Sequence, residues 1–396
     1  MARWLDQILN STRENEAPSR FFYWAALTSI SAVVKKNVYL ERFYYKLYPN
    51  IYTFIVAKSG MKKGIPVNLA KALVSKVNNT RIISGRNSVQ AIVRDLSKAF
   101  STEEGLVIKD AHGFLVSGEL ASFLIKDPDA LTILTDIYDT HSYEKEWTNS
   151  LKQSDREKLK SPCLCMLGAT NEIHFNDAVP PNAIGGGFIA RTFIIYADER
   201  GTVNPLTEKP THIVDVDSLA EYLNTIKDVK GVFNWSDDAK DLYENWYYKY
   251  VMETHNDPTG TMERMPDQIL KAAMLISLSE SPNLILSKRN IEEALSVALE
   301  CVAGVKQVTM GAGKSALAYQ TKLVLRELIE RPDHKTTRAK LLMKYWGELD
   351  SFDLDRIIET LLSAGAIEIT NDRKTYILKK GTLEMYTQYK TKKDKT

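Results

Sequence analysis

Apolar positions along this chain change their period several times, and each change marks an element. Trp4, Leu5, Ile8 and Leu9 fall on one helical stripe, and a longer apolar stripe from Phe21 to Val34 follows Pro18, so residues 1–36 read as helical. Residues 37–56 read as strands. Beyond them the period alternates: helix at 65–77, strand at 81–84, helix at 88–100, one or two strands within 105–117, and the start of a helix at 119–125. Two further apolar strands follow at 162–168 and 191–197. Short apolar strands alternating with helices predict an α/β fold, a three-layer domain around a mostly parallel sheet.

After residue 210 the pattern turns helical, at 216–228, 236–253, 266–280 and 288–307. Residues 319–380 then predict three helices and two short strands, 366–369 and 375–378, around an Asn371-Asp372 turn. That is a winged-helix pattern, with its third helix at 352–362. The expected division is an N-terminal helical region (1–45), an α/β core (46–210), a helical subdomain (211–310), a winged helix (319–380) and a flexible polar tail (381–396).

With 396 residues, two or three domains are expected. The net charge of +2 gives no global polyanion-binding signature, so any nucleic-acid contact must be local. Cys163, Cys165 and Cys301 are too few and too odd in number for a disulfide scaffold, which points to a reducing compartment. The first residues do not read as a signal peptide. No apolar stretch reaches membrane-spanning length, so no membrane partner is expected.

Candidate chemistry begins at residues 50–66. An apolar strand runs into Ala57-Lys-Ser59-Gly60-Met-Lys62-Lys63-Gly64, and a helical pattern follows. A phosphate-binding loop is built this way, from small residues that let backbone N–H groups curl around an anion, with a lysine at the mouth of the next helix. Against the pattern G-x-x-x-x-G-K-[ST], Lys63 is in register and Gly60 is the mid-loop glycine. Ala57, Lys62 and Gly64 stand where the first Gly, the second Gly and the Mg²⁺-binding hydroxyl belong. A basic strand–helix turn fits the same residues. Gly311-Ala-Gly-Lys-Ser315 looks similar, but a helix precedes it and too little chain follows for a sheet of about 30 residues per βαβ unit, so it reads as a linker.

Glu119 follows the apolar run Phe114-Leu-Val-Ser-Gly, where a carboxylate can orient water, although a first-turn glutamate looks the same. Thr170 and Asn171 end the strand from Pro162, suited to sensing a phosphate or to capping a helix. Arg191 stands between Gly185-Gly-Gly and a strand, either as an arginine finger or as an arginine paired with an acid. A loop at 143–160 holds Lys145, Lys152, Arg156, Lys158 and Lys160, suited to a single-strand backbone. It also holds Glu144, Glu146, Asp155 and Glu157, so a solvated charged loop fits as well.

Taken in order, 47–50, 59–63, 116–120, Ile137-Tyr-Asp139 with Trp147, 161–170, 187–191 and 269–274 resemble phage- and plasmid-encoded RecA-like P-loop ATPases. These are the helicase part of primase–helicase proteins, related to DnaB-class hexameric replicative helicases. The resemblance covers roughly residues 1–305 and makes 46–210 a RecA-like ATPase core. It implies ATP and Mg²⁺ as cofactors, Ser59, Gly60, Lys62, Lys63 and Gly64 in the loop, and Lys63 on the phosphates. It implies Glu119 at the water and metal, Thr170 or Asn171 sensing the γ-phosphate, and Arg191 acting in trans or as a sensor. It further implies a hexameric ring on single-stranded DNA in the cytoplasm of a bacterial host, with a replication partner docking on the winged helix. Gly64 and Gly118 depart from the family pattern in offering the metal no hydroxyl and no carboxylate. A non-motor ATP-binding loader or adaptor is therefore the alternative. The third helix of the winged helix carries Asp353, Asp355 and Glu359, which favours protein over phosphate contact.

Overall fold

A computed structural model describes residues 3–85, 88–98, 100–101, 107–108, 110–119, 121–125, 127, 129–139, 146–149, 157–203, 215–253, 257–309, 317–370 and 375–382. The chain divides into two compact units, Met1–Val308 and Thr309–Thr396.

The first unit is built on five strands: β1 (Tyr52–Ala57), β2 (Ile82–Ser84), β3 (His112–Ser117), β4 (Cys163–Thr170) and β5 (Thr192–Ala197). They lie in the order β5-β1-β4-β3-β2, and every pairing is parallel. Every residue of β1 and β4 is buried. Strands covered on both faces need no alternation, which is why they read as continuous apolar runs.

Right-handed crossovers fix which helix covers which face. The step from β1 to the far edge strand β2 carries helix Gly64–Ser75 over one face. The steps β2–β3, β3–β4 and β4–β5 travel the other way, so Val89–Ser97, Ala130–Tyr138 and Glu172–Ala178 cover the opposite face. Helix Ser19–Val34 is buried nearly all round. It lies between the sheet and an outer layer, and Thr28 Oγ1 meets Thr53 Oγ1 of β1 at 2.8 Å. One apolar cluster joins it to Trp4–Thr12, Val216–Ile226, Asp237–Met252, Thr261–Glu280 and Lys288–Thr309. The helices expected as separate regions therefore share one core with the sheet. A helix apolar on all sides has to be covered on all sides.

Helix Ala130–Tyr138 is absent from the sequence expectation. Its Thr and Ile residues are weak helix formers, and buried Ala130, Leu134, Ile137 and Tyr138 hold it in place.

The second unit runs helix Ala318–Glu330, strand Lys335–Thr337, helices Arg338–Lys344 and Ser351–Ser363, then strands Ile367–Ile369 and Thr375–Leu378. The three strands form an antiparallel sheet with Thr375–Leu378 in the middle. Strand Lys335–Thr337 is additional to the two strands expected; it is three residues long, with Thr336 buried. The turn at 371–374, the segment 311–315 and the tail from 383 lie outside the described residues. Among the described residues no helix is long and apolar enough to cross a membrane.

Candidate functional site

Ligands of open parallel sheets sit beyond the carboxyl ends of the strands, where connections leave in opposite directions. Here β1 sends its connection toward β2, while its neighbour β4 sends its own across to β5. The register sets Thr170 opposite Val56, Gly168 opposite Ser117, and Ala197 opposite Ala57. The loop after β1, the tip of β4 and the turn after β3 therefore share one rim.

Within the loop, Gly60 has φ +85° and Lys62 has φ +53°. The Lys62 backbone takes the left-handed conformation glycine favours, a strain of roughly 1–2 kcal/mol for an L-residue. Helix Gly64–Ser75 follows, with Pro66 in its first turn and no side chain capping its start. Lys63 Nζ donates to Ala57 O and Lys58 O, each at 2.8 Å, so its ammonium closes the mouth of its own loop. Burial lowers its pKa, and the Glu119 carboxylate acts in the other direction. Lys62 turns away to Glu16 at 3.7 Å. Ser59, Gly60 and Gly64 are exposed, and a Cβ added at either glycine would meet nothing within 4 Å. The loop is open to a ligand on that side.

Glu16 also holds Arg200, just beyond β5, at 3.4 Å. Sequence reading missed both residues. Arg200 becomes a candidate only once β5 is known to flank β1.

Glu119 is exposed, and its N–H donates to Ser117 Oγ at 3.2 Å. Thr170 is 1% exposed, and its hydroxyl has no hydrogen-bond partner among the described residues. Such a group costs about 1–3 kcal/mol. Asn171 caps helix Glu172–Ala178: its Oδ1 accepts the His174 N–H at 2.8 Å. Of these two candidates, Asn171 is engaged in the fold and Thr170 is not.

Arg191 lies elsewhere. It precedes β5, whose first residue pairs with Tyr52, the first of β1. It therefore stands at the amino edge, about 20 Å from the loop at 3.3 Å per residue. It is 8% exposed. Its Nε donates to Asp139 Oδ2 at 2.9 Å, its Nη2 binds the same oxygen, and its Nη1 donates to Gly187 O at 2.8 Å. Gly187 has φ +86°, and any Cβ there would collide with the guanidinium. Arg191 is thus held in an ion pair with Asp139 at the edge opposite the loop.

The same edge holds Lys271, whose Nζ donates to Asn50 O and Oδ1, each at 2.9 Å, and lies 4.0 Å from the Tyr138 ring centroid. Tyr138 donates to Gln268 Oε1 at 3.2 Å, and Gln268 Nε2 donates to Ala190 O at 3.3 Å. Burial pushes the Lys271 pKa down to about 7.

Of the proposed single-strand contacts, Lys145, Lys152 and Arg156 lie outside the described residues, as does the side chain of Lys158. Lys160 is exposed at the end of strand Glu157–Lys160, which pairs with Glu146–Asn149. Among the described residues no group of three or more His, Cys, Asp or Glu gathers as a metal site.

In the second unit, Arg338 binds Asp355, and Lys344 binds Glu327, which also takes Arg331 at 2.7 Å. Met343, Trp346 and Phe352 are about four-fifths exposed.

No protein-family model matches the chain, and no curated protein is significantly similar to it.

Proposed function

We propose that the first unit is a RecA-like P-loop core that binds ATP with Mg²⁺ at the carboxyl edge, hydrolyses it, and couples turnover to movement along single-stranded DNA. The observation that carries this reading is the convergence of Lys63, Glu119 and Thr170 at one rim, produced by β4 lying between β1 and β3. The residues fit such a ligand. The lysine is held by loop carbonyls, the glycines face open space, and a buried hydroxyl has no partner among the described residues.

Bound ATP and its metal would supply the phosphoryl group and the balancing charge. Lys63 would exchange its two carbonyls for phosphate oxygens. Gly60 and the first N–H groups of helix Gly64–Ser75 would cradle the anion. Glu119 would orient water and take its proton, and Thr170 would donate the hydrogen bond it lacks. With Gly64 in place of a hydroxyl residue, metal binding would lean on the nucleotide and water. That single feature favours the second reading, an ATP-bound loader or adaptor that does not turn over.

Resemblance extends the proposal to a hexameric ring in phage or plasmid replication, in a bacterial cytoplasm. The element order of the second unit supports a winged helix. Its internally paired Arg338 and Lys344, with exposed Trp346, Met343 and Phe352, favour docking a partner protein over reading duplex DNA.

Steady-state ATP hydrolysis with and without single-stranded DNA tests the motor. DNA-stimulated turnover that falls about 100-fold or more in Glu119→Gln supports it. ATP binding without turnover in the wild type transfers support to the loader, and absence of ATP binding sinks both.

A further inference from the structure

One hairpin has no part in the nucleotide site. Strands Val38–Arg42 and Tyr45–Leu47 pair antiparallel with Arg42 opposite Tyr45, so Phe43 and Tyr44 form a two-residue turn. Such turns favour Asn, Asp and Gly. Here they hold two aromatic rings, 92% and 89% exposed, with centroids 4.6 Å apart at 86°. Neither ring is used by the core, and large rings left in water mark a contact surface.

Cations interleave with rings along the same hairpin. Lys46 Nζ lies 4.0 Å from the Tyr39 ring centroid, the Tyr39 ring lies 5.9 Å from that of Tyr48, and Lys36 Nζ lies 5.3 Å from the Tyr48 centroid. Arg42 adjoins the tip. Residues 36–48 contain Lys36, Arg42 and Lys46 against Glu41 alone, which stands opposite Lys46 in the hairpin, in a chain whose net charge is only +2. Asp267 accepts the Tyr45 hydroxyl at 2.9 Å.

Unpaired bases present π faces, and their backbone presents phosphates; rings alternating with cations match both. A protein partner would be met better by a continuous apolar face. We propose that the hairpin at 36–48 is a platform for single-stranded nucleic acid, with Phe43 and Tyr44 stacking on bases and Arg42 and Lys46 meeting phosphates. It leads into the amino end of β1, the edge opposite Lys63, and rests on the proposed function only in the choice of a single strand as ligand.

The test is fluorescence anisotropy of a labelled oligothymidylate of roughly 20 nucleotides, long enough for several stacked bases, without ATP. Phe43→Ala with Tyr44→Ala should weaken binding at least about tenfold, given about 1–3 kcal/mol per stacked base. Its melting curve should stay unchanged, because both rings stand in water. Lys46→Glu should reduce the salt slope by about 0.7. Lys63→Ala should bind like the wild type, so a failed motor leaves the platform standing. No binding by the wild type, or equal binding by the double variant, overturns the proposal. Loss of self-association in the double variant with DNA binding intact also overturns it, and would make the tip a contact between copies.

Discussion

The two edges of the central sheet are built from similar residue types and are used differently. At the amino edge, Lys271, Asn50, Tyr138, Gln268, Asp139 and Arg191 are bonded to one another or to backbone. Taking one member away would leave a buried charge or dipole alone. At the carboxyl edge, Lys63 rests on carbonyls of its own loop, Glu119 faces solvent, and Thr170 keeps a buried hydroxyl without a partner among the described residues. A cation in a conspicuous place is therefore a poor guide to function. What separates the edges is that the carboxyl edge is open and carries the Thr170 hydroxyl, unpaired among the described residues, and such groups persist where something else requires them.

The contrast breaks most visibly at Arg191. Arg191→Ala leaves Asp139 without its principal partner and should destabilise the first unit by about 3 kcal/mol, lowering its melting temperature by several degrees. ATP turnover of the folded protein should be largely kept. Calorimetry alongside hydrolysis decides this: an unchanged melting temperature with lost turnover would instead make Arg191 an arginine finger in trans.

Thr170→Val sharpens the other side. Removing an unpaired hydroxyl should leave the melting temperature unchanged or raised, while turnover falls about tenfold, the equivalent of one hydrogen bond.

At Lys271 the comparison becomes a pH dependence. Its pKa falls from the ordinary 10.5 to about 7 on folding, because burial disfavours the charged form. Between those values the unfolded chain holds more protons, so the contribution to stability rises with pH from about 7 to about 10. The difference in melting temperature between the wild type and Lys271→Met should grow in the wild type's favour over that window.

Asn171→Ala gives the smallest effect, about 1 kcal/mol of stability from the lost helix cap, with turnover nearly unchanged.

Much of the carboxyl edge was legible in the sequence. The apolar runs of β1, β4 and β5 stand out because strands covered on both faces do not alternate, and Lys63 was in register with a P-loop lysine. The left-handed backbone at Lys62 and the turn of its side chain to Glu16 distinguish the two adjacent lysines in the fold, which composition does not. The location of Arg191 was available in principle. Lys63, Glu119 and Thr170 follow or end their strands, whereas Arg191 precedes its own, and in a parallel sheet those are opposite ends. Strand order was not legible, because crossovers over several strands leave no local mark. The division between Thr170 and Asn171 was hidden for the same reason that either residue suits a strand tip. The outer helices were read as helices, but their partners were not, since a period shows which face is apolar and not what covers it.

The central claim, that the carboxyl edge is the nucleotide site and Lys63 its anchor, is tested most directly by thermal unfolding across a titration of Mg²⁺-ATP. A ligand at 100 times its Kd adds about 2.7 kcal/mol to the folded state. The wild type should therefore melt at progressively higher temperature, and Lys63→Ala should show no such rise from an otherwise similar starting point. Equal rises in the two proteins would mean that ATP binds without Lys63 and that the site lies elsewhere.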